Sequence, residues 1–230
     1  MTAEASSKRK AIVEALMELA SRRSWTDIEI KDIAQAANVS LAEFCDAFPS
    51  KGAVLGAFSR QIDRQVLESA TDDLAHEPPR ERIFDVMMRR LDALTPYKAA
   101  LRRIAKDLRY DPLSLAALNR AALNSQRFML AAANIPTEGP LGKLKLQGAV
   151  VVFTKTLGTW LDEDDPALAK TMARLDRELR RGERILEQAE DVRRLTAPFR
   201  AFGRAVMEGR RSRRRDRRSD GEAENPAATI

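Results

Sequence analysis

Residues 38–51 read NVSLAEFCDAFPSK, and this stretch decides how the rest of the chain is read. Asn38 follows a segment of helical periodicity, and Asn adopts the left-handed conformation that ends a helix more readily than most residues. Ser40 then opens a second helix. Ser40-Leu41-Ala42-Glu43 is a capping box: the serine hydroxyl takes one free backbone amide, and Glu43 reaches back to another. Phe48-Pro49 stops that helix, and Ser50 is placed to cap the next. Helix, tight turn and short helix make the outline of a helix-turn-helix, whose second helix enters the major groove of DNA.

Working outward, a first helix is predicted from about Ser7, as cap, to Arg22, with Ile12, Ala15, Leu16 and Leu19 on one stripe. Trp25 and Ile28 close the gap to a second helix at about Ile30–Ala37, with Ile33, Ala34 and Ala37 inward. Val54, Leu55, Phe58, Ile62, Val66 and Leu67 predict a long fourth helix to about residue 73. TDDLAHEPPR, residues 71–80, reads as a hinge. Further helices are predicted over 80–94, from Pro96 to about Tyr110, and after an Asp111 cap with Pro112 at the first position. Others follow over 142–161 and from Asp165, with Pro166 in the first turn, then over 191–209 with a bend at Pro198. The expected class is all-α: a head at 1–73, a larger helical domain at 79–209, and a disordered basic-then-acidic tail at 210–230.

Composition narrows the function. The chain has 230 residues, of which 44% are hydrophobic, so global disorder is not expected. A single cysteine, Cys45, allows no internal disulfide, and no apolar segment opens the chain; a reducing, cytoplasmic setting is the expectation. The longest apolar run, GAVVVF at 148–153, is far short of a membrane span. His76 stands alone in an acidic stretch, so no metal site is expected. There is no nucleophile–base pair and no glycine-rich phosphate loop, so neither an enzyme nor a cofactor is expected. The acidic run Asp162–Asp165 reads as a helix N-terminus using the macrodipole.

The formal charge of +6 suggests a polyanionic partner, but its location matters more than its sum. Residues 204–218 carry eight arginines against Glu208 and Asp216. Residues 1–65 hold nine Lys/Arg and nine Asp/Glu, so the head is neutral.

KDIAQAANVS (31–40) and FPSKGAVLGAF (48–58) resemble the TetR family of bacterial transcriptional regulators. The resemblance implies a three-helix reading head, a long fourth helix, a larger domain that binds a small ligand, and a homodimer formed through the last two long helices. It places Lys31, Ser40, Leu41, Ala42, Glu43, Cys45, Asp46 and Lys51 at the DNA operator. Where family members often carry tyrosines that contact phosphate, Cys45 and Ala47 stand here, and Glu43 replaces a common threonine. Lys51 keeps the family's phosphate-contact position.

On a helical wheel Leu41, Phe44 and Phe48 are expected inward, with Ala42 and Asp46 outward between Glu43 and Cys45. Carboxylates there oppose phosphate binding, although Asp46 could accept a hydrogen bond from cytosine. Supporting cations would be Lys8, Arg9, Lys10, Arg22, Arg23, Lys31 and Lys51.

In the larger domain Phe84, Met87, Met88, Leu91, Leu101, Phe128, Met129 and Trp160 are expected as core or as walls for a small apolar ligand or lipid. Leu144, Val151, Val152 and Leu157 are expected to form a two-fold dimer interface with Leu168, Met172, Leu175 and Leu179.

A second resemblance lies downstream. RIFDVMMRRLDAL (82–94) and WLDEDDPALAKTMARLDREL (160–179) look like the ubiquinone-biosynthesis accessory protein family, which shares the TetR-like fold. It implies binding of lipids such as isoprenoids, and a C-terminal amphipathic helix at membranes. Leu195, Phe199, Phe202 and Val206, with arginines beside and after them, form such a stripe and suit an anionic membrane surface.

Overall fold

The computed structural model describes residues 3–69, 76–108 and 112–191. The described residues form helices and no strand, an all-α architecture. The chain divides into two units, Met1–Arg184 and Ile185–Ile230. The first unit contains α1 (Ala3–Arg22), α2 (Ile30–Ala36), α3 (Leu41–Ala47), α4 (Lys51–Glu68), α5 (Pro79–Leu94), α6 (Lys98–Leu108), α7 (Pro112–Ala132), α8 (Gly142–Asp162) and α9, helical over 169–184. Short 3-10 turns at Trp25–Asp27 and Thr95–Tyr97 complete it. In the second unit residues 185–191 are helical. The expected helix over 191–209, its bend at Pro198 and the tail at 210–230 lie outside the described residues, apart from helical Asp191.

The helix ends follow local chemistry. Asn38 adopts φ 52°, and Val39 N donates to Ala34 O at 3.0 Å while Asn38 N donates to Gln35 O at 3.1 Å. This is a Schellman end with Asn in the left-handed slot. Asn134 repeats it after α7, at φ 52° with Ile135 N on Leu130 O at 2.8 Å. Both expected capping serines are in place: Ser40 accepts from Glu43 N at 3.2 Å, and Ser50 from Ala53 N at 3.1 Å. Gly142 is required by a close approach, since a Cβ there would lie 1.7 Å from the Thr137 carbonyl oxygen.

Four expected boundaries are corrected: α4, expected to about residue 73, ends at Glu68 with Ser69 as its cap. The first helix starts at Ala3, not at a Ser7 cap. Alanines favour helix, and Glu4 pairs with Lys8 one turn on at 2.6 Å, so the added turn is self-supporting. Pro96 lies in a 3-10 turn, and α6 proper begins at Lys98. The final helix of the first unit begins at residue 169 rather than at Pro166. Asp165 instead accepts from Ala167 N at 3.0 Å in a tight turn, and Leu168 takes φ 50°. Glu163 supplies the anion at that helix start, accepting from Lys170 N at 2.9 Å and Thr171 N at 2.8 Å.

The core runs through the first unit. Ile12, Leu16, Ile33, Phe44 and Phe48 hold α1–α3 together against Val54 and Phe58 of α4. Met87, Leu91, Met129 and Trp160 continue it into the larger group of helices. Helix α1 also packs along α6, and α4 along α5 and α7, so the small head shares two long seams with the rest of the unit.

Candidate functional site

The α2–turn–α3 segment presents one face of α3 to solvent. Ala42, Cys45 and Asp46 are exposed, while Phe44 and Phe48 are buried, as the wheel predicts. Leu41 is the exception: it is 58% exposed and does not pack inward. It is the first residue after the Ser40 cap, and the inward stripe starts one turn later at Phe44. Ile30, at the start of α2, is exposed too.

Most cations of this head are already engaged. Lys8 lies 3.0 Å from Glu43, and Arg23 lies 3.2 Å from Asp32. Arg22 pairs with Glu18 and Lys31 with Glu29, both at 2.9 Å. Arg9 donates to the Ala47 carbonyl at the end of α3, its guanidinium 4.1 Å from the Phe48 ring centre. Lys10 is exposed and has no ion pair among the described residues. Exposed pairs of this kind contribute about 0–1 kcal/mol each, so phosphate can compete for them. The local charge nevertheless stays balanced.

Glu43 serves the helix start. The Ser40 amide donates to it at 2.7 Å, and with Lys8 this holds its carboxyl down at about 2 against the usual 4.5. It is therefore a charged carboxylate at every pH at which DNA binding is measured. Asp46, one turn further, has no ion pair among the described residues and projects a second negative charge.

Lys51 is also engaged inside the head. Its ammonium is turned inward and donates to the Trp25 carbonyl and, at 2.8 Å, to the Ile28 carbonyl. It also lies 4.4 Å from the Trp25 ring centre, and burial pushes its pKa down. One of its three N–H groups is left for a phosphate. The same Trp25 turn is gripped from the other side by Asp107 of α6, which accepts from Ser24 Oγ and Trp25 N, both at 2.7 Å. Lys51→Met is therefore expected to lower head stability by about 1–2 kcal/mol through the two lost charge-assisted bonds. Urea unfolding followed by circular dichroism reads this directly. An unchanged midpoint would leave Lys51 with a phosphate role only.

The interior of the larger group holds most of the expected apolar side chains. Met87, Leu91, Met129 and Trp160 are fully buried, and Phe84, Met88 and Leu101 pack against them half-buried. Phe128 is not among them, being 46% exposed. Neighbours on a helix point about 100° apart, and Met129 takes the inward direction.

Sequence reading missed a charged cluster inside this apolar region. Asp63 of α4 and Arg90 of α5, both buried, meet at 3.0 Å. Ser125 of α7 accepts from Arg90 and donates to Asp63 at 2.7 Å, while Ser59 of α4 accepts from Arg90 at 3.2 Å. Phe153 of α8 covers the guanidinium with its ring centre at 4.8 Å. Burial opposes the charge on Arg90, and Asp63 supports it. Arg90 Nε is buried with no partner among the described residues, and so is Oε1 of Gln126, the residue after Ser125 on α7. Leaving such a group unpaired costs roughly 1–3 kcal/mol. The available signal was position: Arg90 falls on the stripe Met87–Leu91–Leu94, where an apolar residue belongs.

On the outside, Leu144 and Val151 of α8 and Met172 of α9 are exposed, whereas Val152 and Leu175 are buried in the first unit's core. Leu144 and Val151 are seven residues apart and share one face of α8. Among the described residues no group of three metal-ligating side chains occurs, and no helix is long and apolar enough to cross a membrane.

The chain is similar in fold to solved TetR transcriptional regulators. One from Nitrosomonas europaea is 23% identical with a TM-score of 0.60, covering 76% of this chain and 97% of its own. One from Rhodococcus sp. RHA1 is 20% identical with a TM-score of 0.58, covering 78% and 97%. A TetR-family regulator from Streptomyces coelicolor is 19% identical with a TM-score of 0.50, covering 82% and 91%. No family model matches the sequence, and no curated protein matches it.

Proposed function

We propose that this chain is a TetR-type, ligand-responsive transcriptional regulator that binds operator DNA through α3 as a homodimer. The observation that carries the reading is the exposed face of α3, set by the Asn38 turn and the Ser40–Glu43 capping box on a three-helix head. A helix held so that its outer face is free of its own protein is the geometry of a groove-reading helix. Ala42, Cys45 and Asp46 would read bases, and Lys10, Lys31 and the remaining N–H of Lys51 would meet phosphate. With so few free cations, affinity is low without sequence-specific contacts, and Asp46 favours cytosine.

The reading divides labour between a head at 1–73 and a larger domain at 79–209 that takes a small apolar ligand or lipid. The exposed Leu144, Val151 and Met172 support the two-fold contact through α8 and α9. Footprinting on the chain's own upstream DNA tests the operator role. Two protected half-sites are expected, and no protection at low salt contradicts it.

One observation favours a second reading, that of a lipid-binding accessory protein that has kept the shape of the head without its use: Lys8, Arg9, Arg22, Arg23, Lys31 and Lys51 all have partners within the protein. That reading predicts binding to anionic vesicles, lost on truncation after Leu195, with no DNA binding. Vesicle binding that survives this truncation removes the tail from the account.

A further inference from the structure

The outer side of α3 carries no side chain with an N–H group. Leu41, Ala42, Cys45 and Asp46 are exposed there, and Glu43 and Ala47 are half-buried. Glu43 is tied to the Ser40 amide and to Lys8. Two chemistries remain on that side: apolar surface, and the Asp46 carboxylate, which only accepts hydrogen bonds. Leu41 is 58% exposed, more than any other large apolar side chain among the described residues, and it lies outside the hydrophobic core. Nothing in the packing of the head accounts for a leucine at that position. It stands beside Ala42 and one turn from Cys45, and Ala42 stands one turn from Asp46, so the four make one strip along the helix.

Base edges set what such a strip can recognise. In the major groove guanine shows two acceptors and is read by Arg or Lys, and adenine is read by Asn or Gln through N7 and N6 together. Helix α3 holds none of these four residue types. Thymine instead shows a methyl group, which takes an apolar side chain, and cytosine shows an amino donor, which takes a carboxylate. The adenine amino group also donates, but the lone pair of N7 beside it repels a carboxylate. We infer that α3 reads pyrimidines and not purines, with Leu41 and Ala42 against thymine methyls and Asp46 against a cytosine amino group. This rests on the operator reading above and names what in the operator is recognised. Leu41 is then a specificity-determining residue, and its contribution comes from leaving water rather than from charge.

The test uses the full chain and three copies of its own upstream DNA: natural, with uracil for every thymine, and with a 7-deazapurine for every purine. Uracil deletes the methyl and 7-deazapurines delete the N7 acceptor, while base pairing is kept. Burying one methyl changes affinity about fourfold, so one contacted thymine in each of two half-sites predicts ~15-fold weaker binding to the uracil copy. The 7-deaza copy is expected to bind as tightly as the natural one. Leu41→Ala, at an exposed position that leaves the fold intact, is expected to bind the natural copy more weakly and to treat the natural and uracil copies alike. That equality separates a methyl contact from any change in DNA shape, which would persist in the variant. Equal binding of the natural and uracil copies by wild type overturns the inference and leaves the operator reading standing. Full discrimination by Leu41→Ala removes Leu41 from the contact and overturns it too. Weaker binding to the 7-deaza copy places a donor at a purine and overturns the exclusion of purines. Failure to bind any copy at low salt overturns the operator reading itself, and the inference falls with it.

Discussion

Replacing Arg90 with methionine is expected to remove about 3–5 kcal/mol of unfolding free energy, the largest effect of any single change considered. The cost comes less from the lost contact than from what remains. Asp63 would be buried with no cation, and with Ser125 as its only described donor. Replacing both partners, Asp63→Leu with Arg90→Met, is expected to recover most of that loss, because two apolar groups need no compensation. Urea denaturation of wild type, the single variants and the double variant forms a cycle that separates the two terms. If the loss in the double variant equals the sum of the two single losses, the pair is not coupled and the cluster carries no pairwise energy. The cycle also bears on regulation, because Asp63 sits on α4, the helix that begins beside the exposed α3.

Val151→Glu is expected to weaken self-association by on the order of 100-fold while leaving the helices intact. Val151 is exposed in the single chain, so the substitution disturbs no internal packing. In a two-fold contact the same position meets its own copy or close neighbours, and two buried glutamates repel without a partner. The interface proposed through α8 and α9 would bury on the order of 1,500 Å², so the wild type should remain dimeric at micromolar concentration. Sedimentation velocity on both proteins, with circular dichroism as a check on helix content, reads the change. A monomeric wild type, or a variant that dimerises as tightly, contradicts the assignment of this face. The flanking polar group Lys155–Glu178, paired at 3.0 Å, would then be simply a surface contact between α8 and α9.

How much was legible in the sequence depended on how local the physics is. The Asn38 turn and the Ser40 and Ser50 caps were readable because each is decided within four residues. The apolar stripes of α1 and α4 were readable because burial follows helical spacing, save Leu67, which is exposed. Errors came where a distant or competing partner decided. Pro166 looked like a first-turn proline, but Glu163 had already claimed the amides of Lys170 and Thr171, and the helix starts at 169. The second engagement of Lys51 was not readable, because the Trp25 and Ile28 carbonyls that take two of its N–H groups lie more than twenty residues away in the chain. Leu41 looked buried by spacing alone, yet the helix is too short for its first residue to reach the core. The Asp63–Arg90 cluster left one trace, a charge on an apolar stripe, and its meaning required knowing that α4, α5 and α7 converge.

The neutral, self-paired head and the exposed α3 face together make one quantitative claim: the protein reads DNA with few phosphate contacts. The direct measurement is binding to its own upstream DNA over a salt series, beside Asp46→Lys. Lys10, Lys31 and Lys51 from each of two heads would neutralise about six phosphates, so log K should fall with log salt at a slope no steeper than about −5. Asp46→Lys should steepen that slope by about two units and raise affinity for every sequence. Failure of both proteins to bind DNA at the lowest salt would contradict the regulator reading outright.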